Sequence, residues 1–81
     1  MTLDLLQLSQ ADNAQDLLRT VLPLPEWYGG NLDALYDCAC AWHDVVLTVS
    51  HTDTAGYAQQ VLTVLRDAAA DNDFFVLTEI D

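Results

Sequence analysis

The chain has 81 residues, 52% of them hydrophobic, and sets thirteen acidic side chains against two arginines for a formal charge of −11. That length predicts one domain with a packed core, although a chain this small buries only roughly 60% of its unfolded surface. The charge opposes binding to nucleic acid, where Lys and Arg must neutralise phosphates, and to anionic membrane surfaces. It favours a cationic partner, unless the acid excess is only the habit of an acidic proteome.

In chain order, Leu3 to Leu8 reads as a short strand broken by Asp4 and Gln7. Asp12 or Asn13 can cap a helix with Ala14, Leu17, Leu18, Val21 and Leu22 at helical spacing. Pro23 and Pro25 stop that helix and stiffen an extended link. Gly29-Gly30 supplies a turn. Asn31 then caps a second helix, with Asp33 in its first turn and Leu32, Leu35, Ala39 and Trp42 toward the core, ending at His43 or Asp44.

Val45 to Val49 reads as a buried strand, and Phe74 to Thr78 as another. Between them a third helix is expected from Thr52, Asp53 or Thr54 to about Asp71, with Gly56 weakening its first turn. The order β-α-α-β-α-β, with helices joining successive strands, predicts an α/β fold around a small three-stranded parallel sheet.

Cys38 and Cys40 lie two apart on a helix and point away from each other, so no unstrained disulfide joins them. The usage fits a reducing cytosol. The first residues lack a basic segment and an apolar run long enough for a signal peptide, and no stretch approaches a membrane span, so a soluble intracellular chain is expected.

The most informative stretch is Glu26-Trp27-Tyr28-Gly29-Gly30-Asn31-Leu32-Asp33-Ala34-Leu35-Tyr36-Asp37-Cys38. It places aromatics on a glycine turn and then two carboxylates, Asp33 and Asp37, one turn apart on the same helix face. Acid catalysis by this pair would need one pKa raised by burial beside a cleft, and no His or Lys accompanies the acids. A merely solvated face is disfavoured because like charges at i and i+4 cost about 0.2–0.5 kcal/mol. Aromatics beside charges are what interface centres use.

Cys40 and His43 have a usable helical spacing for a metal, but Cys38 faces elsewhere and no second cluster completes four ligands. Packed thiols and a helix-terminal histidine explain those residues, and no metal or cofactor is expected.

From Leu24 to Trp42 the chain resembles the barstar family of ribonuclease inhibitors, and Arg66-Asp67-Ala68 is similar to the family's late-helix pattern. The resemblance implies a barstar-like fold of about three helices over residues 1–81, in a cytoplasmic, monomeric inhibitor rather than an enzyme. Its partner would be a basic secreted ribonuclease or ribonuclease toxin domain. The implied partner-facing set is Trp27, Tyr28, Gly29, Asn31, Asp33, Tyr36, Asp37, Cys40, Trp42 and Asp67. Within it Asp33 and Asp37 meet the enzyme's cations, with Asp37 at the phosphate-mimicking position. Trp27 and Tyr36 are flanking aromatics, and Asp67 is a rim contact.

The chain departs from the family pattern at Gly30, where an acid is found, at Asp67, one methylene short of glutamate, and at Val46, where a proline stands. The stretch Ser50 to Tyr57 is also shorter, at the expected expense of a small helix. The competing reading is an acidic interaction module for a basic protein that is not a nuclease.

Overall fold

A computed structural model of the chain describes residues 1–80. The elements are β1 (Thr2–Asp4), α1 (Leu5–Gln10), α2 (Ala14–Val21), α3 (Leu32–Cys40), β2 (Val45–Ser50), α4 (Tyr57–Asp71) and β3 (Phe75–Glu79). The three strands are parallel with β2 in the centre, as the alternation of strands and helices predicts.

The N-terminal run differs from the expected strand. Only Thr2–Asp4 pairs with β2, and Leu5–Gln10 is a short helix. Asp4 turns the chain: its carboxylate accepts from the amides of Leu6 (2.9 Å) and Gln7 (3.4 Å), as a helix N-cap does. Leu5 and Leu8, three apart, then enter the core while Leu6 stays exposed. A run of six residues offers too little sequence to separate period 2 from period 3.6.

Register fixes which side chains meet. Leu3 lies opposite Val49, Val45 opposite Phe75 and Leu47 opposite Leu77, so these six share the face that the helices cover. Leu5 and Leu8 of α1, Leu18 of α2, Leu35 and Ala39 of α3, and Val61, Leu62 and Leu65 of α4 pack with them in one core. The other face carries Thr2, Val46, Thr48, Val76 and Thr78. Val46 and Val76 remain 56% and 51% exposed, so β2 and β3 are buried on one side only. Parallel sheets are usually covered on both faces. Here the helices between strands all pack on the same face, and the apolar run Val45-Val46-Leu47 overstated the burial of its middle residue.

Helix boundaries follow local hydrogen bonds. Asn13, the second of the two expected candidates, caps α2 through the amides of Gln15 and Asp16. Helix α4 starts later than expected, because Thr52–Thr54 is used in a turn: the Thr54 amide and hydroxyl both donate to the His51 carbonyl (3.2 and 2.7 Å). Gly56 takes the N-cap position at φ 76°, ψ −143°, with no side-chain cap. That backbone region is nearly exclusive to glycine. Gly56→Ala should therefore lower stability by about 1–3 kcal/mol, measured as a urea midpoint. The penalty is purely conformational, because an added Cβ meets nothing within 4 Å.

Candidate functional site

The motif begins with a strap whose course is set by two prolines. Pro23 and Pro25 restrict φ, and the Trp42 indole N–H donates to the Pro23 carbonyl (3.2 Å), tying the strap to the far end of α3. The Tyr28 amide donates to the Pro25 carbonyl (3.0 Å), closing a turn with Glu26 and Trp27 at its tip. Trp27 is consequently 75% exposed, the most exposed large apolar side chain among the described residues.

Tyr28 points the other way. It is 3% exposed; its hydroxyl donates to Gln15 Oε1 (2.6 Å), and the Gln15 amide in turn donates to the Tyr57 hydroxyl. Arg19 lies over the Tyr28 ring, 5.3 Å from its centroid, and Nη2 donates to the Tyr28 carbonyl (3.4 Å). Burial, then Tyr57, pushes the Tyr28 phenol above its usual pKa against the opposing pull of Arg19. Of the expected partner-facing residues, Tyr28 thus acts as the inner post of the turn. Gly29 is exposed beside it, and Gly30 takes φ 74°, which an acid at that position would adopt only with strain.

Asn31 ends the turn and starts α3, its Oδ1 accepting from the Ala34 amide (2.8 Å). The helix points Leu35, Cys38 and Ala39 inward and leaves Asp33 and Asp37 in solvent. Neither carboxylate has a hydrogen bond or ion pair among the described residues. Five other acids are committed: Asp4 to His51 (2.7 Å), Asp16 to Arg19 (3.7 Å), Asp44 to His43 (3.8 Å), Asp71 to the Tyr36 hydroxyl and Glu79 to Arg66. Asp12, Glu26, Asp53, Asp67 and Asp73 share the unpaired state of the α3 acids among the described residues. Both arginines are therefore engaged within the chain, and neither neutralises the α3 face.

Tyr36 links that face to α4. It is half-buried, and its hydroxyl donates to Asp71 Oδ2, a bond that, with contributions from Cys40 and burial, pushes the phenol pKa well up. Asp71 lies one turn beyond Asp67 on α4, so the two acids share a face of that helix, and α4 packs on α3. Cys40 is half-buried beside Tyr36.

Trp42 lies just beyond α3, which ends at Cys40 rather than at His43 or Asp44. Its ring is 8% exposed and meets Phe75 edge-on at 4.8 Å, so most of it belongs to the core. His43 lies outside and stacks on Phe74 at 4.3 Å. Among the described residues no three His, Cys, Asp or Glu side chains are grouped to hold a metal ion. No helix among them is long and apolar enough to cross a membrane.

Three supporting residues escaped the sequence reading. Asn72 follows α4 and is buried, donating to the carbonyls of Ala39 (3.0 Å) and Trp42 (2.8 Å) and accepting from the Phe74 amide (3.0 Å). Gln15 and Asp71 fix Tyr28 and Tyr36 from other helices. The only sequence signal for Asn72 is an amide after a helix, a common C-cap with no indication of its distant partners.

Away from the α3 face, Arg66 donates to both Glu79 oxygens, Nε to Oε2 at 2.9 Å and Nη2 to Oε1 at 2.5 Å. That fork holds the Glu79 carboxyl below its usual pKa despite some desolvation. At Asp4 desolvation acts upward, but the hydrogen bonds from His51 and from the Leu6 and Gln7 amides outweigh it, and its pKa is lowered. A depressed folded-state pKa means that the unfolded chain binds more protons in this window. The stabilisation is then present above about pH 4 and lost as pH falls through the folded values. Urea unfolding of wild type and Glu79→Gln from pH 6 to pH 3 should show a stability gap that closes below about pH 4. The paired comparison removes the relief of general acid–acid repulsion, which works in the opposite direction.

Fold and site together define a small parallel α/β domain that displays carboxylates on a helix behind an aromatic glycine turn. The chain matches the family described as "Barstar (barnase inhibitor)" over residues 1–78, and it belongs to the barstar family. It is 37% identical over 73 residues to a Bacillus subtilis (strain 168) protein named "Putative ribonuclease inhibitor YrdF", covering 79% of this chain and 80% of that protein.

Proposed function

We propose that this protein inhibits a basic ribonuclease by lodging α3 and the Trp27 turn in the enzyme's active-site cleft, within the cell that makes the enzyme. The supporting observation is the pair of exposed carboxylates one turn apart on α3, neither of which has a hydrogen bond or ion pair among the described residues. A cleft built for RNA presents cations at phosphate spacing. Asp37 takes the place of a phosphate and accepts paired hydrogen bonds from an arginine, while Asp33 meets a neighbouring cation. Trp27 and Tyr36 exclude water around these contacts, as aromatic flanks do at interface centres. Asp67 adds a contact from α4. The protein performs no chemistry in this role; it occludes.

The test is RNA cleavage by a barnase-type ribonuclease with and without an equimolar amount of the protein. Protection is expected, and undiminished cleavage by each such enzyme tried, including any encoded beside this chain, would reject the proposal. The acidic field should also steer encounter. Raising ionic strength from 50 to 500 mM should slow association by about tenfold or more while dissociation changes little, in stopped-flow fluorescence. An association rate indifferent to salt would contradict steering.

A further inference from the structure

Arg19, one of the two basic residues in the chain, bonds the turn that presents Trp27. We infer that Arg19 is a positioning residue for partner binding: from α2 it fixes the backbone of the turn at residues 25–28, and through it the place of Trp27. What the turn binds rests on the inhibitor reading; what holds the turn does not.

Three contacts of one guanidinium carry the inference. Nη2 donates to the Tyr28 carbonyl (3.4 Å), the planar group lies 5.3 Å from the centroid of the Tyr28 ring, and Nη1 pairs with Asp16 on its own helix (3.7 Å). A planar fork can stack and donate at once, which an ammonium cannot. Gln15, one turn earlier on α2, secures the other end of the same tyrosine by accepting from its hydroxyl (2.6 Å). Gln15 thus holds the buried phenol, and Arg19 reaches the backbone that carries Trp27. Gly30 leaves room for this, because an added Cβ there would meet Nη2 at 3.4 Å.

Trp27 is too exposed for its own packing to fix it, so its position is inherited from Tyr28, the buried residue that follows it. A contact residue held in place beforehand loses less freedom on binding. Charge gives the inference a sign. A cation at this surface opposes a basic partner, so on electrostatics alone its removal should tighten binding. Removal of a positioning residue should weaken it.

The test compares Arg19→Ala with Arg66→Ala, which removes an equal charge from the α4–β3 junction. In the free protein, the backbone ¹⁵N heteronuclear NOEs of Trp27 and Tyr28 should match those of α3 in wild type and Arg66→Ala, and fall in Arg19→Ala. Against a barnase-type ribonuclease at low ionic strength, Arg19→Ala should bind about three- to tenfold more weakly, and Arg66→Ala at least as tightly as wild type. In a Trp27→Ala background the Arg19→Ala loss should vanish, because Arg19 acts through that side chain. NOEs unchanged by Arg19→Ala overturn the inference whatever the enzyme result. So does tighter binding by Arg19→Ala, or a loss that persists without the Trp27 ring, which would make Arg19 a direct contact. If wild type binds no ribonuclease, the inhibitor reading fails in the RNA-protection assay, and the NOEs still decide whether Arg19 fixes the turn.

Discussion

Asp37→Ala should weaken binding to the target ribonuclease by about 2–5 kcal/mol, roughly 30- to 5,000-fold in Kd. Truncation removes the acceptor for cations that the complex has already taken out of water, so the cost includes leaving them buried and unpaired. The free protein should respond with the opposite sign. Asp37 has no partner among the described residues and lies one turn from Asp33, so its removal relieves a repulsion of about 0.2–0.5 kcal/mol and should slightly stabilise the fold. Asp53→Ala, at another exposed acid, should change affinity by less than about 0.5 kcal/mol. Titration calorimetry and urea unfolding on the same variants test both signs. Equal small losses at Asp37 and Asp53 would show that binding senses only net charge, and the assignment of α3 as the reading face would fall.

The largest expected effect on stability is at a residue with no predicted contact role. Asn72→Ala should destabilise the protein by about 2–4 kcal/mol, because it strands the Trp42 carbonyl and the Phe74 amide and removes one donor from the Ala39 carbonyl, which keeps the Trp42 amide. For a domain whose total stability is about 5–15 kcal/mol, that is a substantial fraction. Asn72→Asp should be no better, since a carboxylate faces two carbonyls with no proton to give. A shift in urea unfolding free energy below about 0.5 kcal/mol would mean that water replaces the amide there.

The contrast between these residues explains how much the sequence made legible. Asp37 stands out because its physics is local: an acid four residues from another acid on a helix opposes helix stability, and nearby aromatics give it a context. Asn31 is equally readable, because a cap acts on amides two or three residues away, whereas the sequence leaves Asp12 and Asn13 both open for α2 and the structure takes Asn13. Asn72 could not be read, because its carbonyl partners lie 33 and 30 residues earlier and meet it only after α3 packs on α4. Tyr28 and Trp27 make the same point within two residues. Both are aromatics on one turn, yet the Pro25–Tyr28 hydrogen bond sends one outward and the other under Arg19.

By itself the sequence determined the local frame: the parallel α/β order, the Asn31 cap, the excess of acid and the spacing of Asp33 and Asp37. These follow from composition and from interactions spanning a few residues, which the chain carries wherever it folds. Only the tertiary structure decided that β2 and β3 are covered on one face, that Tyr28 and Trp42 are buried while Trp27 projects, and that Tyr36 reaches across to Asp71 on α4. It also decided that both arginines are engaged, Arg19 with Asp16 and Tyr28, and Arg66 with Glu79 across the α4–β3 junction. Each of those outcomes depends on which distant segments pack together. A side chain's exposure and its partners are properties of that packing, and no local pattern encodes them.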